Sequence, residues 1–89
     1  MPQYQVKIDR RVKKDLKGVS SDDVEKIKQS IISLAQNPRP DGCKKLKGKS
    51  KGYFRVRVGD YRIIYTVDDG VLLVVVIAVG HRKEVYKKL

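Results

Sequence analysis

The residues best suited to chemistry lie in Gly52-Tyr53-Phe54-Arg55-Val56-Arg57-Val58-Gly59-Asp60-Tyr61-Arg62-Ile63-Ile64-Tyr65. Arginine is planar, always charged and able to donate a fork of hydrogen bonds, so a group of them points to an anion, with phosphate the usual one. Apolar and basic residues alternate on either side of Gly59-Asp60, and period two marks a strand with one buried and one open face. Gly and Asp favour a tight turn, so the two runs read as a β-hairpin. Phe54, Val56 and Val58 then point one way, while Tyr53, Arg55 and Arg57 point the other, with Arg62 just past the turn. The hairpin is expected to hold these arginines on one rigid platform.

The charge around this stretch is lopsided. From Lys44 to Arg57 the chain carries Lys44, Lys45, Lys47, Lys49, Lys51, Arg55 and Arg57 and no acid. A run of lysines is commonly just a solvated face, but this one leads directly into the arginine strand. Over all 89 residues, 21 Lys and Arg stand against 10 Asp and Glu, a net charge of +11. Such a balance favours polyanions, with nucleic acid ahead of an acidic membrane. A single Cys, Cys43, excludes an internal disulfide and a cysteine metal cluster, which suits a reducing cytoplasm. The start of the chain has no signal-peptide core, and the apolar run Val71 to Val79 is too short to span a bilayer as a helix.

The elements that must position the arginines can be read in order. Tyr4 to Ile8 alternates as a first strand. Asp9 can cap a short helix with Val12 and Leu16 on one face, ended by Gly18. Ser20-Ser21-Asp22-Asp23 starts a second helix with a hydroxyl cap and acids at the positive end of its dipole. Val24, Ile27, Ile31 and Leu34 form its apolar stripe, widened by Ile32 and Ala35, and Asn37-Pro38 stops it. The two helices are expected as an antiparallel pair against one sheet face. After the hairpin, Asp68-Asp69-Gly70 turns the chain into Val71 to Val79, a β-branched run expected to be a central strand buried on both faces. Gly80 to Leu89 reads as a loop and a short helical turn. The fold class is α+β, one domain over 1–89, with a small antiparallel-rich sheet.

This order of elements, with Gly52 to Tyr65 and Val79-Gly80-His81-Arg82-Lys83-Glu84-Val85-Tyr86, resembles the RelE/ParE superfamily of toxins from prokaryotic toxin–antitoxin pairs, and its RelE branch above all. The resemblance covers nearly the whole chain, and the second half is its specific part. It implies a small cytoplasmic mRNA endonuclease that acts on the ribosome and is held inactive by an acidic, partly disordered antitoxin. It also implies a site of Arg55, Arg57, Arg62, Arg82 and Tyr86, with Lys44, Lys45, Lys47, Lys49 and Lys51 as RNA contacts.

Metal-free cleavage of RNA by its own 2′-hydroxyl needs alignment, charge stabilisation and proton transfer, and no cofactor is expected. Arginines can supply the charge, and Tyr86 can stack on a base or orient a hydroxyl. No Asp or Glu cluster of the kind that holds catalytic magnesium is evident in the sequence. The sequence departs from several RelE-like enzymes, which carry lysines where Arg55 and Arg57 stand, because arginine cannot act as a base. Other relatives place a glutamate in the preceding loop, and residues 44–51 contain none. His81 is the side chain that titrates near neutrality and is the candidate proton carrier. A ParE-like toxin that binds DNA gyrase without nuclease chemistry is the alternative, and a non-catalytic nucleic-acid binder is a third reading.

Overall fold

The computed structural model describes residues 3–48 and 51–89. The chain runs β1 (Gln5–Ile8), α1 (Arg11–Asp15), α2 (Ser21–Ser33), β2 (Lys44–Lys45), β3 (Phe54–Val58), β4 (Tyr61–Asp68), β5 (Leu73–His81) and a C-terminal 3₁₀ helix (Glu84–Lys88). The strands form a five-stranded sheet in the order β1-β5-β4-β3-β2. β1 runs parallel to β5, and the other pairings are antiparallel. The α+β architecture is the expected one, with the two-residue strand β2 as an addition.

Local signals act where the sequence placed them. Ser20 Oγ accepts from the Asp23 backbone N–H at 3.3 Å, capping α2. Asp9 Oδ1 accepts from the Arg11 N–H at 3.0 Å, and this bond holds its carboxyl below the usual range. Ile27, Ile31 and Leu34 are buried, and with Val12 they meet Phe54, Val56, Ile63, Tyr65, Val74, Val76 and Val79 in one core. Each such aliphatic contributes roughly 1.5–3 kcal/mol by leaving water. Ile32 does not join them: it is 63% exposed, so the α2 stripe is narrower than expected.

The last long strand begins later than the apolar run. Asp68 Oδ1 accepts from the N–H groups of Gly70 and Val71, and Leu72 has a φ of +53°, so Val71 and Leu72 belong to the turn. Ile64 pairs with Ala78 but Tyr65 pairs with Val76, so Ile77 is an extra residue in β5. This bulge lets Val74, Val76 and Val79 all face the helices although their spacing is not uniformly even. A strict alternation would have turned part of the run the wrong way.

The segment after α2 is tied down at several points. Arg39 donates to both carboxylate oxygens of Asp69, at 3.1 and 2.8 Å, and Tyr4 Oη donates to the same group at 2.6 Å. The Arg39 guanidinium also lies 5.3 Å from the centre of the Phe54 ring. Tyr65 Oη donates to the Pro38 carbonyl at 2.7 Å, and burial raises its pKa.

Hydrogen bonds from Arg39 and then Tyr4 lower the Asp69 pKa below its ordinary 3.8. A carboxylate depressed in the fold contributes stability above its unfolded value and loses it as pH falls through the folded value. The stability difference between the wild-type chain and Asp69→Asn, followed by urea unfolding, should therefore shrink as pH falls from about 5 to about 3. A difference that stays constant with pH would show that the clamp does not act through charge.

Candidate active site

Directly paired residues share a sheet face. The register sets Lys44 opposite Arg55, Arg55 opposite Ile64, Arg57 opposite Arg62, and Arg62 opposite Gly80. Arg55, Arg57 and Arg62 therefore lie together on the face away from α1 and α2, as the alternation implied. Like charges opposed on a ladder repel. Among the described residues, none of these three, nor Arg82, takes part in an ion pair.

Arg55 is only 9% exposed, and its Nε is buried without a hydrogen-bond partner among the described residues. A buried donor left unsatisfied costs about 1–3 kcal/mol, which a bound acceptor would recover. Arg55 lines a cleft of about 370 Å³ together with Asp41, Gly42, Lys44, Val56 and Arg57. Arg57 is exposed there. Asp41 is a lining residue that charge patterning does not single out, because it lies just before the lysine-rich segment. The Cys43 N–H bonds to the Pro40 carbonyl at 3.0 Å and Gly42 has a φ of +88°, so Asp41 and Gly42 are the central pair of a tight turn. The signature Pro40-Asp41-Gly42 directly before a basic strand was the available signal.

The face is not open along its length. Ile64, Ala78 and Val85 form a second buried cluster, with Leu46, Tyr53 and Tyr86 packed on it. The C-terminal 3₁₀ helix supplies Val85 and Tyr86 and so roofs the part of the face beyond Arg62. Arg62 Nη1 donates to Tyr86 Oη at 2.8 Å, with the guanidinium 5.8 Å from the ring centre. Because Arg62 occupies an acceptor site on Oη, the phenolic proton can be donated elsewhere.

The remaining predicted residues divide. Arg82 is exposed one position past β5, held at the hairpin tip by its N–H bond to the Asp60 carbonyl at 3.1 Å. His81 pairs with Tyr61 and packs edge-on against that ring, 5.2 Å between centres. The Tyr61 pair lies on the face of Val58 and Ile63, so His81 is on the opposite side of the sheet from the strand arginines. Sequence alone could not show this, because it depends on the register of β5 against β4. Lys44 enters the cleft, whereas Lys45 pairs with Phe54 and belongs to the other face. Lys47 and Lys51 are exposed. Lys49 lies outside the described residues.

On the opposite side of the molecule, Ile8, Val12, Leu16 and Ile31 floor a second groove rimmed by Arg10, Lys13, Lys14, Lys17 and Lys28. No helix among the described residues is long and apolar enough to cross a membrane.

Known proteins share this fold. Residues 6–86 match the family described as the ParE toxin of the type II toxin–antitoxin system parDE. The RelE1 protein of Methanocaldococcus jannaschii is 34% identical over 87 residues, covering 94% of this chain and 96% of that one. The mRNA interferase toxin RelE of Escherichia coli is 32% identical over 88 residues, covering 96% and 92%. RelE in the archaeal RelE–RelB complex of Pyrococcus horikoshii superposes with a TM-score of 0.79 at 27% identity, over 91% of this chain and 97% of that one. The chain belongs to the ParE toxin family of type II toxin–antitoxin systems, within the RelE/ParE superfamily and with RelE proteins among its relatives.

Proposed function

We propose that this toxin is an mRNA endoribonuclease of the RelE type, working in the cytoplasm on ribosome-bound message. The observation that carries the reading is the arginine face: Arg55 buried with an unsatisfied Nε, Arg57 exposed beside it, and Arg62 held against Tyr86. A gyrase-binding surface has no need of a guanidinium whose buried Nε lacks a partner among the described residues. The resemblance to proteins named mRNA interferase, at about a third identity over nearly the full chain, supports the same reading.

In the reaction, the 2′-oxygen of one nucleotide attacks the adjacent phosphorus, and the bond from phosphorus to the 5′-oxygen breaks. The products are a 2′,3′-cyclic phosphate and a free 5′-hydroxyl. Negative charge grows on the phosphoryl oxygens, and donors already fixed in place stabilise it without reorganising. Arg55 and Arg57 in the cleft and Arg62 beside it fill that role, with Arg82 at the hairpin tip. The departing 5′-oxygen takes a proton from the Tyr86 phenol, or from water where Tyr86 instead stacks on a base. The proton of the 2′-hydroxyl needs an acceptor, and Asp41 is the carboxylate that lines the cleft. We assign His81 no proton transfer, since it faces Tyr61 on the far side. The chemistry is read as metal-independent, with Lys44 the lysine set to contact the RNA backbone and Lys47 and Lys51 contributing field.

The partner is read as an acidic antitoxin that folds on binding, as RelE stands in complex with RelB in the archaeal structure. It would mask the arginine face or lift the Tyr86 helix, and the cation-rimmed groove beside α1 would suit an acidic amphipathic segment.

The family name ParE keeps gyrase binding as the second reading. Expression of the chain alone should arrest growth and translation with DNA intact; arrest with double-strand breaks would replace the first reading by the second. Alanine at Arg55, Arg57 or Arg62 should slow cleavage roughly 10²–10³-fold, the range for a well-placed donor. Arg57→Lys should lose part of that, since it keeps charge without the fork. Asp41→Asn should slow the reaction more than His81→Gln, and the reverse order would return the proton transfer to histidine. Products should carry 2′,3′-cyclic phosphate, and a 2′-deoxy nucleotide at the cut should block reaction.

A further inference from the structure

Asp15 ends α1 far from the arginine face in sequence, yet its side chain is nearly buried and fully engaged. Oδ2 accepts from the Val79 N–H at 3.1 Å, and Oδ1 accepts from Lys88 Nζ at 2.7 Å. Lys88 Nζ also donates to the Val79 carbonyl at 3.0 Å, so carboxylate and ammonium close a ring around one residue of β5. The site exists because β1 pairs with β5 only as far as Val76, and Asp15 and Lys88 take the backbone groups of Val79 beyond it. From the same short helix, Arg11 Nη1 donates to the Lys88 carbonyl at 3.0 Å.

These bonds fix more than an edge. Lys88 belongs to the same 3₁₀ helix as Tyr86, two residues away. A helix of this type and length is not stable by itself, so tertiary contacts set its position. One is the seat at Gly80, where a Cβ would lie 3.2 Å from Lys88 Nζ and 3.3 Å from Val85 Cβ. Gly80 pairs with Arg62, the partner of Tyr86. The helix therefore closes on β5 at Gly80, between the Lys88 tether on one side and the Arg62–Tyr86 bond on the other.

We infer that Asp15 and Lys88 are positioning residues, a latch that holds the C-terminal 3₁₀ helix where Tyr86 Oη meets Arg62. The inference deepens the RNA-cleavage reading and rests on it for its kinetic part. Asp15→Asn keeps an oxygen for the Val79 N–H and removes the charge pair; Lys88→Met keeps the stem and removes the donor at a half-exposed position. Each should lower the single-turnover cleavage rate roughly 10- to 100-fold, the scale of a small misplacement, with RNA affinity unchanged. The double variant should be no slower than the slower single one. In a Tyr86→Phe background, Asp15→Asn should cost little more. Independently of activity, Asp15→Asn should shift the NMR signals of the Tyr86 ring and Arg62 Nε–H. Equal loss from Asp15→Asn with and without the Tyr86 hydroxyl, or unmoved Tyr86 and Arg62 signals in both variants, overturns the latch. A wild-type chain that cuts no RNA under any condition would sink the ribonuclease reading instead, and the NMR shifts alone would then decide the latch.

Discussion

Arg57 and Arg62 stand directly opposite each other across an antiparallel ladder, with Arg55 on the same face of the same strand as Arg57. Repulsion between those guanidinium groups is built into the register, since no carboxylate stands between them on the ladder and none forms an ion pair with them among the described residues. Their placement must be enforced by the other face of the hairpin. Phe54, Val56, Ile63 and Tyr65 are all in the core, so a one-residue slip that separated the arginines would also expose that apolar set. Hydrophobic burial on one face holds the electrostatic strain on the other.

The core that does this depends on a departure from regularity. β5 lies between β1 and β4, and the bulge at Ile77 is what lets Val74, Val76 and Val79 face the helices together. The same bulge sets Ala78 and Gly80 on the arginine face, where a small side chain and none at all leave room for the C-terminal helix. That helix brings Val85 and Tyr86 over the sheet and removes part of the face from water. Low local dielectric would strengthen the interaction of the nearby arginines with any anion that reached them.

The site is therefore made in two halves. One half, the hairpin with the Asp41 turn and β2, is paired into the sheet, anchored through Phe54, Val56, Ile63 and Tyr65 in the core, and carries the positive charge. The other half, the 3₁₀ helix, has little stability of its own and is held by Arg62, by the fit at Gly80 and by the carboxylate of α1. An antitoxin that competes for the second half need not disturb the first. The two helices of the other face contribute to both halves, through the core and through Asp15.

Signals with a short range were legible in the amino-acid sequence. Period two in Tyr53 to Tyr65 gave the faces of the hairpin, Ser20 gave the start of α2, and Ile27, Ile31 and Leu34 gave its buried stripe, because each depends on neighbours within a turn or a strand pair. The surplus of positive charge and its concentration before β3 were equally plain. Ile32, with its apolar side chain outside the core, shows the limit: period 3.6 tells the width of a stripe only once its partner surface is known. Tertiary structure alone decided which groups share the site. It set His81 across the sheet through the β4–β5 register, brought Lys44 beside Arg55 through β2, and turned Asp41 into the cleft. It also joined Arg62 to Tyr86 across 24 residues and Asp15 to Lys88 across 73. Those pairings follow from strand order and from one bulge, and a local pattern carries no information about either.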